Sequence, residues 1–276
     1  MKTRFTHSPE ETAQMDTGQL RTHFHLPAIF QPEQLQLVYS HYDRMIIGGV
    51  MPLRKKITLT NPAELRASFF LERREMGIIN VGGDGIIEAG GKSYTLRKLD
   101  CLYLGKGTDA VTFKSSSAKN PALFYLLSAP AHHAYPAKLL TKEKAAPVQM
   151  GDTATSNKRT IYKYIHLNGI RSCQLVMGLT ILEPGSVWNS VPPHTHTRRM
   201  EVYFYFDVPE QHRVFHFMGQ PQQSRHIVVA NNEAVISPPW SMHFGCGTSN
   251  YGFIWGMAGE NQEFTDMDPA PIATVL

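Results

Sequence analysis

The stretch His194-Thr195-His196-Thr197-Arg198-Arg199-Met200-Glu201 sets two imidazoles one residue apart and places a carboxylate five positions beyond the second. In an extended strand the side chains of residues i and i+2 share a face, so His194 and His196 present their rings to one point. A short turn into the next strand brings Glu201 within reach of the same point. Two imidazoles and a carboxylate form a common partial shell for zinc, iron, manganese or nickel. Such a shell normally takes a fourth donor from elsewhere, and Ser237-Pro238-Pro239-Trp240-Ser241-Met242-His243 offers one where a strand ends at a Pro-Pro-Trp turn. The expected metal ligands are therefore His194, His196, Glu201 and His243.

These donors need a scaffold, and the bulk of the chain indicates which kind. At 276 residues, 42% hydrophobic and 18% charged, it has globular composition and fits one large domain or two of about 100–150 residues. The formal charge of +4 is small and its Lys and Arg are scattered, which argues against nucleic acid or a membrane surface as partner. The start, MKTRFTHSPEETAQMD, has no apolar signal segment, and no stretch approaches the roughly 18 apolar residues of a spanning helix, so a cytoplasmic protein is expected. Cys101, Cys173 and Cys246 are far apart and outside any CxxC pattern, as buried thiols in a reducing compartment would be. Helical periodicity is confined to about Pro9 to Arg21. The remainder reads as short aliphatic and aromatic strands split by Gly, Asp, Asn or Lys, among them LQLVYS (35–40), GIIEAGGKSYTL (85–96), RTIYKYI (159–165), EVYFYF (201–206) and YGFIWGMAG (251–259). That pattern predicts antiparallel barrels or sandwiches. Residues 130–158, rich in Pro, Ala, Lys and Thr, read as a connecting segment. The halves are also alike: ERREMGIINV (72–81) matches TRRMEVYFYF (197–206), and DCLYLGKG (100–107) matches EAVISPPW (233–240). A repeated fold follows, with domains over 1–150 and 151–276.

Gly185, His194-Thr195-His196, Glu201 and Pro238-Pro239-Trp240-Ser241-Met242-His243 resemble the two cupin motifs. Trp240 stands where the motif has glycine, and Gly185 lies farther from His194 than usual; both bear on turn geometry and leave every ligand in place. The resemblance implies an all-β chain of two tandem cupin-like antiparallel barrels or jelly rolls, a bicupin with few short helices. The first half keeps Arg73, Arg74 and Glu75 but has no H-x-H, so it looks like a degenerate cupin without metal. A closer resemblance, over about residues 10–268, is to the 5-keto-4-deoxyuronate isomerases of bacterial pectin and uronate breakdown. It rests on YSHYDRMIIGGVMP, FFLERREMGIINVGG, HTHTRRMEVYFYF, FHFMGQPQQSRHIV, AVISPPWSMH and FIWGMAGENQ. This resemblance implies one zinc per subunit on the four ligands, a homohexamer, and a ketol-isomerase acting on 5-dehydro-4-deoxy-D-glucuronate (4-deoxy-L-threo-5-hexosulose uronate). The carbonyl would move from C1 to C2, giving 3-deoxy-D-glycero-2,5-hexodiulosonate. An Fe(II) cupin dioxygenase and a non-catalytic sugar-binding cupin are the alternatives, and neither requires the long matches outside the metal motifs.

Strand alternation places Tyr203 and Tyr205 on the face of Glu201, with Val202, Phe204 and Phe206 on the other. On the implied chemistry either tyrosine could donate to a substrate oxygen or shuttle a proton, although tyrosines also serve as barrel filling. Arg198 and Arg199 could clamp a carboxylate, yet their counterparts Arg73 and Arg74 in the metal-free half favour a structural ion-pair role. The catalytic candidates are therefore Tyr203, Tyr205 and Arg199. Trp188 and Trp240 flank the ligand segments and could wall a pocket. His23, His25, His132, His133, His212, His216 and His226 lack a ligand pattern and read as surface or hydrogen-bonded histidines.

Overall fold

The expected strands form almost one for one in the computed structural model, which describes residues 1–276. LQLVYS and RTIYKYI become the strands Leu35–Ser40 and Arg159–Ile165. GIIEAGGKSYTL divides into a hairpin, Gly85–Ala89 and Lys92–Leu96. Its turn uses Gly90 and Gly91 at φ +53 and +74, a left-handed conformation that glycine adopts without steric cost.

The strands assemble into two sandwiches of the same plan. In the first, a seven-stranded sheet runs in the order Lys2–Arg4, Leu35–Ser40, Ile46–Val50, Phe124–Pro130, Arg74–Asn80, Cys101–Leu104, Lys138–Leu140, with a four-stranded companion. In the second the order is Val148–Met150, Arg159–Ile165, Val176–Leu182, Gly252–Gly259, Arg199–Phe206, Glu233–Ser237, His25–Leu26, again with a four-stranded companion. The chain is all-β with two short helices, as a bicupin requires. The repeat holds to the residue. Met76 pairs with Leu104 and Ser128 in one sheet, and Glu201 pairs with Ser237 and Met257 at the equivalent place in the other.

That register corrects the reading of Glu75. Met76 is the counterpart of Glu201, and it lies with Ile78, Leu102 and Leu104 in an apolar cluster that fills the first barrel. Glu75, one residue earlier, faces the opposite way because successive strand side chains alternate. It is fully buried and its carboxylate accepts backbone N–H bonds from Cys173 (2.7 Å), Gln174 (2.8 Å) and Leu175 (2.9 Å), with the Tyr103 hydroxyl donating at 2.8 Å. It is a structural anchor for residues 173–175.

The division into units departs from a single cut at residue 150. One unit comprises Met1–Thr3, Ala28–Ala146 and Tyr164–Met177; the other comprises Arg4–Pro27, Pro147–Lys163 and Gly178–Leu276. Glu75 ties residues 173–175 into the first, and the Tyr164 hydroxyl donates to the Leu99 carbonyl there. Arg4–Pro27 joins the second through Arg21, whose guanidinium donates to the Val228 carbonyl (2.7 Å), and through His25, paired with Glu233 at 2.8 Å. His25–Leu26 also adds a strand beside Ala234 and Val235. The helix expected from Pro9 to Arg21 is two, Pro9–Ala13 and Thr17–Phe24. Asp16 causes the break: it is extended, and its carboxylate caps the second helix by accepting from the Gln19 N–H. The connecting segment contributes Lys138–Leu140 and Val148–Met150 to the sheet edges. No helix is long and apolar enough to cross a membrane.

Replacing Glu75 with Ala strands the buried Leu175 N–H and Tyr103 hydroxyl and the half-buried N–H groups of Cys173 and Gln174, at about 1–3 kcal/mol for each buried group. The expected loss in urea denaturation is at least about 3 kcal/mol; a loss below about 1 kcal/mol would contradict the anchoring role.

Candidate metal centre

Four elements deliver the four donors. His194 lies in the two-residue strand His194–Thr195, which pairs with Asp268–Pro269. His196 follows, and its carbonyl accepts the Arg199 N–H (3.0 Å) to close the turn into the strand Arg199–Phe206. Glu201 projects from that strand near the middle of the sheet. His243 comes from the turn after Glu233–Ser237, where the Ser241 N–H bonds the Pro238 carbonyl at 2.9 Å and the Met242 N–H bonds the Gly219 carbonyl at 2.9 Å. Trp240 therefore replaces the motif glycine without displacing the ligand. One ligand atom from each residue lies within 4.8 Å of the others. His196, Glu201 and His243 are buried, and His194 is half-buried.

The hydrogen bonds fix which ring atoms face inward. His196 Nδ1 lies 2.9 Å from the Arg199 carbonyl and His243 Nδ1 lies 3.1 Å from the Ser241 carbonyl. A carbonyl oxygen only accepts, so both Nδ1 atoms carry hydrogen and each ring turns Nε2 toward the centre, as a donor to Glu201 while the ring is protonated and as a lone pair for a metal once that proton leaves. His243 Nε2 stands 3.1 Å from His194 Nε2 and 2.8 Å from Glu201 Oε2, and His196 Nε2 stands 3.0 Å from the same oxygen. Burial, with the nearby His243, lowers the His194 pKa to about 3, so its ring stays neutral. Burial would also lower His196, but the hydrogen bond and charge of Glu201 prevail and raise it. Burial opposes ionisation of Glu201; attraction to His243 and bonds from His196 and His243 outweigh it and hold the carboxyl below its ordinary range. Three imidazole nitrogens converging on an ionised, buried carboxylate form the donor set of a divalent transition metal, whose charge would balance the site. The residues present fit a metal.

The KduI/IolB family profile matches residues 25–272. The chain belongs to the KduI/IolB family. It is 53% identical over 268 residues to the 4-deoxy-L-threo-5-hexosulose-uronate ketol-isomerase of Halalkalibacterium halodurans, covering 97% of both chains. It is 50% identical over 272 residues to 4-deoxy-L-threo-5-hexosulose-uronate ketol-isomerase 2 of Enterococcus faecalis, covering 99% of both. Among solved structures, an IolB-like protein from Salmonella typhimurium aligns with TM-score 0.70 at 14% identity over 87% of this chain and 94% of that one. A mutant of Bacillus subtilis oxalate decarboxylase aligns with TM-score 0.56 at 10% identity, over 81% and 71%. Both structural likenesses concern the fold.

Beside the four candidate ligands, the KduI/IolB-family chain forms a cavity of about 300 Å³ bordered by His194, His196 and Glu201. The alternation expected along Arg199–Phe206 is present, but the two tyrosines part company. Tyr203 lines the cavity and shares a 2.7 Å hydrogen bond with the Ser190 hydroxyl. Burial and the Glu201 charge push its pKa well above that of an ordinary phenol, so the hydroxyl stays protonated. Tyr205 lies outside the cavity lining, its hydroxyl 2.8 Å from Nδ1 of the buried His216.

The arginine pair is resolved as well. Arg199 is fully buried and borders the cavity, but its Nη atoms donate to the carbonyls of Glu263 (2.7 Å) and Asp266 (2.9 Å). Arg198 is partly exposed and bonded to Asp266 and Asp268. Arg74 repeats the Arg199 pattern in the half without a metal site, bonding the Arg44 and Ser128 carbonyls at 2.6 Å. Arg199 thus ties residues 263–266 to its strand beside the cavity, where Phe264 forms part of the wall.

The wall tryptophan is Trp255, not Trp188 or Trp240. Trp188 stacks on Phe217 (6.2 Å between rings), and the Trp240 indole donates to the His7 carbonyl. A Cβ at Gly178 would lie 2.3 Å from the Trp255 ring, so glycine there makes room for the indole. The sequence reading also passed over Arg159, which shares the lining with Ile161 two residues on; their common strand face was the available signal.

Removal of His243 tests the ligand set. His243→Ala should weaken metal binding by more than about 100-fold, whereas Tyr203→Phe should retain full metal content by elemental analysis. Full occupancy in His243→Ala would show that His243 is not a ligand.

Proposed function

We propose that this protein is a zinc-dependent 4-deoxy-L-threo-5-hexosulose-uronate ketol-isomerase that forms 3-deoxy-D-glycero-2,5-hexodiulosonate in the cytoplasmic breakdown of pectin-derived uronates. The observation that carries the reading is the 53% identity over 97% of the chain to a relative of that name. His194, His196, Glu201 and His243 would hold the zinc. When bound, zinc would supply Lewis acidity to the C1 carbonyl and C2 hydroxyl oxygens of the substrate, and no redox change is needed in the reaction.

The chain's own residues account for the surroundings of that chemistry. The Nδ1 contacts to the Arg199 and Ser241 carbonyls orient the His196 and His243 rings in advance, so no reorganisation is spent during reaction. Tyr203, kept protonated by burial, donates a hydrogen bond to a substrate oxygen from the cavity wall. Phe253, Trp255 and Met257 line the same cavity with apolar surface, and a lower local dielectric strengthens each polar contact made against it.

Zinc-loaded protein supplied with the unsaturated-uronate product of a pectin lyase should convert the resulting 5-keto uronate to the 2,5-diulosonate, followed by NMR. No conversion by the zinc form, together with oxygen uptake by an iron-loaded form, would replace the isomerase with a dioxygenase. The same reading includes a homohexamer, for which light scattering should give six times the 31.0 kDa chain mass; a monomeric mass would remove that part.

A further inference from the structure

Arg159 begins the strand Arg159–Ile165 and faces the metal-site cavity, but nothing acidic is paired with it. Its one hydrogen bond runs from Nη1 to the Asn157 carbonyl at 2.9 Å. A guanidinium has several further donors arranged to match a carboxylate edge-on, and here they are unspent. The other charged groups of this wall are committed: Arg199 through its Nη atoms to the Glu263 and Asp266 carbonyls, and Glu201 to the imidazoles of His196 and His243. Around Arg159 the lining is largely apolar, with Met150, Ile161, Phe253, Trp255 and Phe264. A cation among such groups is costly until an anion joins it, so the place is poorly suited to an ornamental charge and well suited to an anionic ligand.

We infer that Arg159 is the carboxylate-binding and specificity-determining residue of this pocket: it takes the C6 carboxylate of a keto-uronate while the C1–C2 end faces His194, His196, Glu201 and His243. The assignment rests on the ketol-isomerase reading for its substrate, though not for the demand that the ligand be an anion. Desolvation lowers the Arg159 pKa from its usual value, which agrees with a charge held out of water without a counter-ion. The cavity, at about 300 Å³, falls at the small end of ligand pockets, which run from about 300 to 1,000 Å³. Two chemically different poles in so small a space would distinguish an acid sugar from its neutral analogue. They would also fix which end of the chain reaches the metal ligands.

The test compares binding of the 5-keto uronate and its neutral C6 amide to zinc-loaded wild type, Arg159→Gln and Arg159→Lys by calorimetry, with turnover of wild type measured alongside. Wild type should prefer the acid. Arg159→Gln should bind the acid about 10- to 100-fold more weakly and the amide unchanged, while Arg159→Lys recovers part of the preference. Metal content and melting temperature should match wild type in both variants, separating this effect from misfolding. An undiminished preference for the acid in Arg159→Gln, or equal weakening of acid and amide, overturns the assignment. Binding preference lost in Arg159→Gln while wild type shows no turnover would sink the isomerase reading and leave Arg159 as the anion site. Turnover by wild type with preference retained in Arg159→Gln would do the reverse.

Discussion

A buried carboxylate cannot remain ionised alone, and Glu201 meets that constraint through its neighbours. Its oxygen lies within 3.0 Å of two imidazoles, and a third approaches from His194. Those rings are in turn held by backbone carbonyls at their far nitrogens, so the arrangement is set by the main chain of two turns, His196–Arg199 and Pro238–Ser241. Both turns exist only because the strand Arg199–Phe206 lies between Glu233–Ser237 and Gly252–Gly259. The chemistry of the site is thus a property of the sheet register as much as of four side chains.

The two halves show what that register does when its central residue changes. With glutamate at the inward position the barrel keeps a polar pole and an adjoining cavity; with Met76 at the same position the interior closes into an apolar cluster. The backbone plan is unchanged, since strand order and pairing repeat. The loss of the inward carboxylate, together with the three histidines absent from the first half, separates a filled barrel from one whose residues fit an ion.

Much of this was legible in the sequence because it depends on local periodicity. His194, His196 and Glu201 announce themselves by strand alternation, the hairpins by their glycines, and the repeat by its Arg pair. Legibility ends where partners are distant. The helix break at Asp16 was readable as a cap signal yet lost to the apolar pattern around it. Arg199 and Tyr205 have the right types for catalysis, and only three-dimensional neighbours, the Glu263 carbonyl and His216, show how their polar groups are engaged. Glu75 was misjudged by a single residue of register, which in a strand reverses the face. Arg159 and Gly178 carry no motif at all; one matters for the partner it lacks, the other for the space it leaves beside Trp255.

The placement of Arg4–Pro27 bears on how the chain is made. Arg21 and His25 in this segment find their partners, Val228 and Glu233, 207 and 208 residues further along the chain. The second unit therefore cannot complete itself until these distant residues meet, a non-local closure of the kind that slows folding. In the interval the two N-terminal helices wait without the surface that buries Leu20 and Phe24, exposed to the associations that long-waiting apolar segments invite. Until that contact forms, the sheet that carries the candidate metal centre lacks the edge strand His25–Leu26.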